Sequence, residues 1–183
     1  MNIEYKLVLT EIELALQKSD FTQINLFIST IINAKKIVVF GAGRVGFVMK
    51  GFGMRLNHLG IESYFLGDVN VPKISSDDLL LIGSGSGNTS SIVNIVEIAI
   101  KNNIKVLCVT ANPDSFVAKK SSAYILLNCP NKESYKVEKV SKQPMTTLFE
   151  QSLYVFFDSL VLSLMNVMDE TNESMYERHN ILE

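Results

Sequence analysis

The rhythm of apolar positions changes along the chain. Over the first 34 residues, Ile3, Leu7, Ile12, Leu14 and Leu16 recur at mixed spacings of three and four, which predicts helix. Asp20 then stands where it can cap a second helix carrying Ile24, Phe27, Ile28 and Ile31. Beyond this region short apolar runs alternate with amphipathic stretches. The runs are IVVF (37–40), IESYFL (61–66), LLLIG (79–83), KVLCVT (105–110) and AYILL (123–127), each bounded by Gly, Asn, Asp or Pro. Helices are predicted between them at about 44–59, 89–102 and 114–121. The segment 128–143 is polar and reads as a loop. A long apolar helix is predicted from Pro144 to Met168, with Pro144 in the first turn, where proline is tolerated. A short last helix is predicted near 169–179.

Continuous apolar strands suit a sheet buried on both faces, which means parallel strands with helices on each side. The predicted architecture is a five-stranded parallel α/β sheet in three α/β/α layers, flavodoxin-like in strand order, with extra N-terminal helices. One domain is expected over 1–183, with N-terminal helices in 1–34 and C-terminal helices in 144–183. Such sheets take ligands beyond the strand C-termini, where strand order reverses. That directs attention to the loops after residues 40 and 83.

Composition narrows the function classes. Seventeen basic and nineteen acidic residues leave a net charge of -2, so no sequence-wide basic field exists for nucleic acid or an anionic membrane. A 47% apolar and 20% charged composition argues against disorder. Cys108 and Cys129 lie in apolar contexts without CxxC spacing, which predicts buried, reduced thiols. The N-terminus lacks the basic and apolar regions of a signal peptide, and no window of ~18 uncharged apolar residues occurs. A cytoplasmic protein is expected. The two histidines, His58 and His179, stand far apart, and no His/Cys/Asp cluster has metal-ligand spacing, so no metal and no cofactor is predicted.

Two glycine loops carry candidate chemistry. GAGRVG (41–46) follows a strand and opens a helix, satisfying GxGxxG. Taken alone it is weak evidence for a dinucleotide, although Asp68 lies near the distance of a ribose-binding acid. The second loop, SGSGNTSS (84–91), also follows a strand and opens a helix. Small residues let the backbone wrap an anion, Ser84, Ser86 and Thr89 add hydroxyls, and the helix start adds free N–H groups. This makes a cup for a phosphomonoester. No lysine precedes the Ser/Thr as a nucleotide-hydrolysing loop requires. The plainer alternative is a surface loop in which Asn88 or Thr89 merely caps a helix.

A strand ending in GAGR and a later one ending in SGSGNT resemble the sugar isomerase (SIS) domain. GAGRVGFVMKGFGMRLNHLG (41–60), QPMTTLFEQSL (143–153) and RHNILE (178–183) extend the resemblance to the 6-phospho-3-hexuloisomerase family over nearly the whole chain. The resemblance implies interconversion of 3-hexulose 6-phosphate and fructose 6-phosphate in the ribulose monophosphate route of formaldehyde metabolism. It also implies homotetramers with shared active sites. By this resemblance Ser84, Gly85, Ser86, Gly87, Asn88 and Thr89 hold the phosphate, while Gly43, Arg44 and Val45 line the substrate. Glu150 transfers the proton, and His179 completes the site, in its own or a neighbouring subunit. The chain departs from the family pattern at Val45 (usually Ser), Asn88 (usually Glu), Thr146 (usually Gly), and at Asn180 and Ile181 in the tail.

The chemistry asks for few parts: a phosphate anchor, a group that moves a proton between adjacent carbons, and donors for enediol oxygens. Glu150 suits proton transfer, Arg44 can bind phosphate or polarise a carbonyl, and His179 can serve the oxygens near neutral pH. His58 reads as a helix-surface or interface residue. A non-catalytic phosphosugar-binding module and an NAD-binding domain are the alternatives. Finally, Phe149, Leu153, Tyr154, Phe156, Phe157, Leu160 and Leu164 exceed one covering stripe, which predicts a subunit interface.

Overall fold

The structure, a computed structural model, describes residues 3–131 and 141–182. The chain runs α1 (Tyr5–Gln17), α2 (Ile24–Ile32), β1 (Ile37–Gly41), α3 (Arg44–His58), β2 (Ser63–Phe65), β3 (Leu79–Ser84), α4 (Ser90–Lys101), β4 (Lys105–Thr110), α5 (Phe116–Lys120), β5 (Ala123–Leu126), α6 (Thr147–Met168) and α7 (Asn172–Glu177). All strand pairs are parallel and the order is β2-β1-β3-β4-β5, the flavodoxin-like order expected from the alternating runs. Most of the predicted polar loop, 132–140, lies outside the described residues, as does Glu183 of the tail.

The period-two geometry of a strand explains why the runs are apolar throughout. Ile37, Val39, Leu79, Leu81, Leu107 and Val109 face one layer, with Phe27, Met49, Phe52, Phe149 and Phe157. Val38, Leu80, Ile82, Val106 and Cys108 face the other, with Ile92, Val96 and Val117. Every residue of β3 is buried, as the central strand of a doubly covered sheet must be. The Phe52 and Phe157 rings stack at 4.1 Å and tie α3 to α6. Burial also keeps both cysteines as thiols: it drives Cys108 far up and pushes half-buried Cys129 up to about 11. By length and composition α6 could cross a membrane. Half of its most apolar stretch is buried inside the fold, and it serves here as the core helix.

Three expectations are corrected. Asp20 does not cap α2; its Oδ1 accepts from Thr22 N–H and its backbone pairs with Leu126, so the helix starts only after Gln23. Pro144 precedes α6 rather than lying in its first turn. Met145 takes a left-handed φ of +54°, which breaks the helical path and delays the helix to Thr147. Of the seven α6 residues assigned to an interface, six are core: Phe149, Leu153, Phe156, Phe157, Leu160 and Leu164 are buried, and only Tyr154 is exposed. Packing against α3 and α1, not an outer face, absorbs the surplus.

The start of α6 is held from a distance. Glu11 on α1 accepts hydrogen bonds from Ser141 Oγ at 2.6 Å, Lys142 N–H at 2.9 Å and Gln143 Nε2 at 3.0 Å. Burial pushes the Glu11 carboxyl up, but these donors outweigh it and hold the group below the usual glutamate range. A depressed acid contributes stability above its unfolded-state pKa and loses it as pH falls through its folded one. Glu11→Gln is therefore expected to lower the thermal midpoint at pH 7 by about 2–4 °C, screening keeping the loss small. The gap to the parent should close on acidification below the ordinary glutamate range. Calorimetry across that range checks this; a gap that stays constant in acid contradicts it.

Candidate active site

Strand order reverses between β1 and β3, and the chain leaves both strands through small residues. After β1 the path turns at Gly43, whose φ of +60° belongs to glycine, and α3 begins at Arg44. After β3 it runs through Gly85 to Thr89 before α4 begins. The first three carbonyls of this second loop are taken up by the segment that follows β4. Gly85 O accepts from Ala111 N–H, Ser86 O from Asn112 Nδ2, and Gly87 O from Val117 N–H. The N–H groups of Thr89, Ser90 and Ser91 have no acceptor among the described residues, as at a helix start. Positive dipole and free donors thus gather at one end of the sheet.

A cavity of about 310 Å³ occupies this place. Its lining includes Gly43, Arg44, Val45, Ser84, Gly85, Ser86, Thr89 and Glu150, residues from both loops and from α6. Residues singled out from three separate segments therefore share one wall. Arg44 reaches across so that Nη1 lies 2.9 Å from Glu150 Oε2. The Arg44 side chain is 61% exposed and the Glu150 side chain only 12%. The pair is close, but its alignment makes no hydrogen bond, and Oε2 is a buried oxygen without such a partner among the described residues. The other oxygen, Oε1, accepts from Thr146 Oγ1 at 3.0 Å.

Other predicted residues fall elsewhere. Gly87 and Asn88 do not line the cavity. Gly87 has φ of +61°, and a Cβ there would meet Ser115 Oγ at 2.1 Å. Its N–H donates to Ser84 Oγ, which closes the turn. Asn88 faces α5, where Oδ1 accepts from Phe116 N–H. It therefore caps a helix, but α5 rather than α4. Thr89 is the N-cap residue of α4, yet its hydroxyl sits beside Ser86 Oγ instead of capping. Asp68, the acid a dinucleotide would need, is ion-paired with Lys50 at 3.0 Å and lines a separate cavity with Asn57 and Phe65.

His179 is not in this cavity either. It stacks on Tyr176 and lies 5.2 Å from His58, ring centre to ring centre, at the far end of α3. A helix running from Arg44 to His58 separates its ends by about 21 Å. His58 is buried there rather than on the surface. Arg178 fixes the tail by a two-pronged bond to Glu170, 2.8 Å on each side, and by donation to the His58 carbonyl. Sequence reading gives no individual role to Ala42, Gly83, Ile92, Met145 or Thr147 and takes Phe149 for an interface residue, yet all six line the cavity. Met145, Thr147 and Phe149 lie within QPMTTLFEQSL, where Thr147 adds a second hydroxyl just before an apolar helix.

A family model described as the SIS domain matches residues 30–156. The chain belongs to the SIS domain family. Among its relatives is the 3-hexulose-6-phosphate isomerase of Mycobacterium gastri, 34% identical over 97% of this chain and 88% of that protein. The Bacillus subtilis protein of the same name is 35% identical over 84% and 83%. A Methanococcus jannaschii crystal structure, from which a molecular function of 3-hexulose-6-phosphate isomerase was inferred, superposes with a TM-score of 0.83 at 30% identity. It covers 98% of this chain and 99% of its own. The chain and the Methanococcus jannaschii structure therefore share one fold.

Gly87→Ala tests how far the cup depends on its turn. The left-handed φ and the overlap with Ser115 together are expected to cost roughly 1–3 kcal/mol of stability. Affinity for a phosphosugar should drop about tenfold or more as the loop shifts. Thermal unfolding and titration calorimetry read the two effects; unchanged affinity would dissociate this turn from ligand binding.

Proposed function

We propose that the chain is a phosphosugar isomerase that interconverts 3-hexulose 6-phosphate and fructose 6-phosphate through an enediol, as a step of the ribulose monophosphate route. The reading is carried by one juxtaposition. Arg44 and Glu150, far apart in sequence, meet at 2.9 Å in the cavity that the serine-lined loop also lines. The names of relatives at 34–35% identity support the same substrate.

In this reading Ser84, Ser86, Thr89 and the free N–H groups at the start of α4 hold the phosphate. Gly87 shapes the turn behind them, and Gly85 and Asn88 keep it closed. Gly43, Arg44 and Val45 line the sugar, Val45 through its backbone alone. Glu150 removes the proton from C2 of the 3-ketose, and the electron pair forms the C2–C3 double bond with charge on O3. A proton passes from O2 to O3. Glu150 then returns its proton to C3, which leaves the carbonyl at C2. Developing charge on the oxygens is met by Arg44 and by His179. Because His179 lies at the far end of α3 in its own chain, it serves the cavity of a neighbouring copy, consistent with a homotetramer whose sites are shared. Exposed Phe47, Met54, Tyr154 and Leu162 provide apolar surface for that association.

Glu150→Gln is expected to lower isomerisation by about 10²–10⁴-fold while fructose 6-phosphate still raises the thermal midpoint. Full activity in this variant would remove Glu150 from the mechanism. Equal inactivity of the parent, with binding intact, would favour a phosphosugar-binding module. Stabilisation by NAD and not by fructose 6-phosphate would favour a dinucleotide site.

A second prediction follows from ring chemistry. With O6 phosphorylated, a 3-ketose can close only through O1 or O5 into a strained four-membered ring, so it stays open. Fructose 6-phosphate closes through O5 onto C2 and must be opened. If His179 assists opening, His179→Ala slows turnover of fructose 6-phosphate more than single-turnover conversion of the 3-ketose. Equal losses in both directions exclude that role.

A further inference from the structure

Two threonines stand at the start of α6, and neither caps it. Thr146 occupies the N-cap position, where a threonine hydroxyl usually accepts from a first-turn N–H. The same chain shows that arrangement at α7, where Thr171 Oγ1 accepts from Ser174 N–H at 3.2 Å. At α6 no side-chain cap is formed. The Thr146 hydroxyl instead donates to Glu150 Oε1 at 3.0 Å. Thr147 Oγ1 donates to the Pro144 carbonyl at 2.7 Å and accepts from Arg44 Nη1 at 3.3 Å. One threonine thus holds the carboxylate and the next holds its cationic partner.

We infer that Thr146 is a positioning residue, whose hydroxyl occupies Oε1 of Glu150 and leaves Oε2 as the oxygen that exchanges the substrate's carbon-bound proton. The inference rests on the isomerase reading above. Its physical basis is the asymmetry of the two oxygens. Oε1 has a hydrogen-bond donor, and Oε2 has only the misaligned guanidinium of an exposed arginine. A carboxylate with one oxygen engaged cannot rotate freely about its last torsion. The free oxygen then stays at one height above the cavity floor, which is what a proton transfer at two adjacent carbons requires. The left-handed φ of +54° at Met145 turns the chain so that Thr146 can make this bond.

The test is steady-state kinetics of the full-length protein with fructose 6-phosphate for Thr146→Val, Thr146→Gly and Thr146→Ser. Loss of the hydroxyl in Val and Gly is expected to lower kcat about tenfold with KM changed less than about twofold. Ser should restore kcat. Gly needs no side-chain space and carries the test should Val not fold. Parent-like kcat in the hydroxyl-free variants would overturn the inference, as would a KM that rises as much as kcat falls or a Ser variant as impaired as Val. Glu150→Gln, measured alongside, separates the two levels: if it is fully active, the assignment of Glu150 fails, whatever Thr146 does.

Discussion

Three helices begin at one cavity, and none of them has a side-chain cap. α3 starts at a glycine, and α4 and α6 start at threonines whose hydroxyls are turned to other partners. Unsatisfied first-turn N–H groups are a cost in an isolated helix. Here they are collected where strand order reverses, between β1 and β3, and in the proposed reading they form an electropositive floor for an anion. The rest of the arrangement follows from that choice. The first three loop carbonyls must turn to the 110–117 segment, Gly87 must take a positive φ to let them do so, and Ser115 must stand close behind it.

Much of this frame can be read from residue order. β-branched runs bounded by turn residues mark the strands, and their lack of alternation marks a sheet covered on both faces. A glycine or serine loop after a strand and before a helix marks the anion floor. Legibility fails where a residue's partner is distant. Nothing in the neighbourhood of Asp20 foretells its pairing with Leu126, nor in Asn88 its bond to Phe116 on another helix. The long apolar helix misleads for a related reason. Its excess of aromatics looks like an outer face until the two N-terminal helices are seen to pack on it, where Phe21 and Phe27 meet Phe156. Pro144 misleads because a proline tolerated in a first turn is equally at home just before one; the left-handed Met145 decides between them.

The site divides along the same line. Ser84, Ser86 and Thr89 stand out by type and local spacing, whereas Arg44 and Glu150 are marked by the resemblance to the sugar isomerase family. The hydroxyls that hold the last two, Thr146 and Thr147, become visible only when the loop after β1 and the start of α6 are brought together. Glu11 is further removed still. It stands on the first helix, yet it fixes the three residues that lead into the segment carrying Glu150. Placement of the proposed base is thus distributed over the whole length of the chain.

Unequal burial of the Arg44–Glu150 pair bears on how such a base is made available. A fully buried pair is expensive to break, because each charge is left in a medium that cannot solvate it. An exposed pair contributes little, since water and salt replace either partner. This pair is mixed: the carboxylate is enclosed and the guanidinium faces solvent. In the proposed reading the oxygens of an incoming sugar compete for Arg44, whose free side can turn toward them at small cost. Glu150 then loses its ion-pair partner but keeps the Thr146 hydroxyl, while Oε2 is uncovered. Arrival of the sugar and exposure of the proton-accepting oxygen are in this reading one event. An arginine buried as deeply as the glutamate would oppose that coupling, and a glutamate as exposed as the arginine would have no need of it.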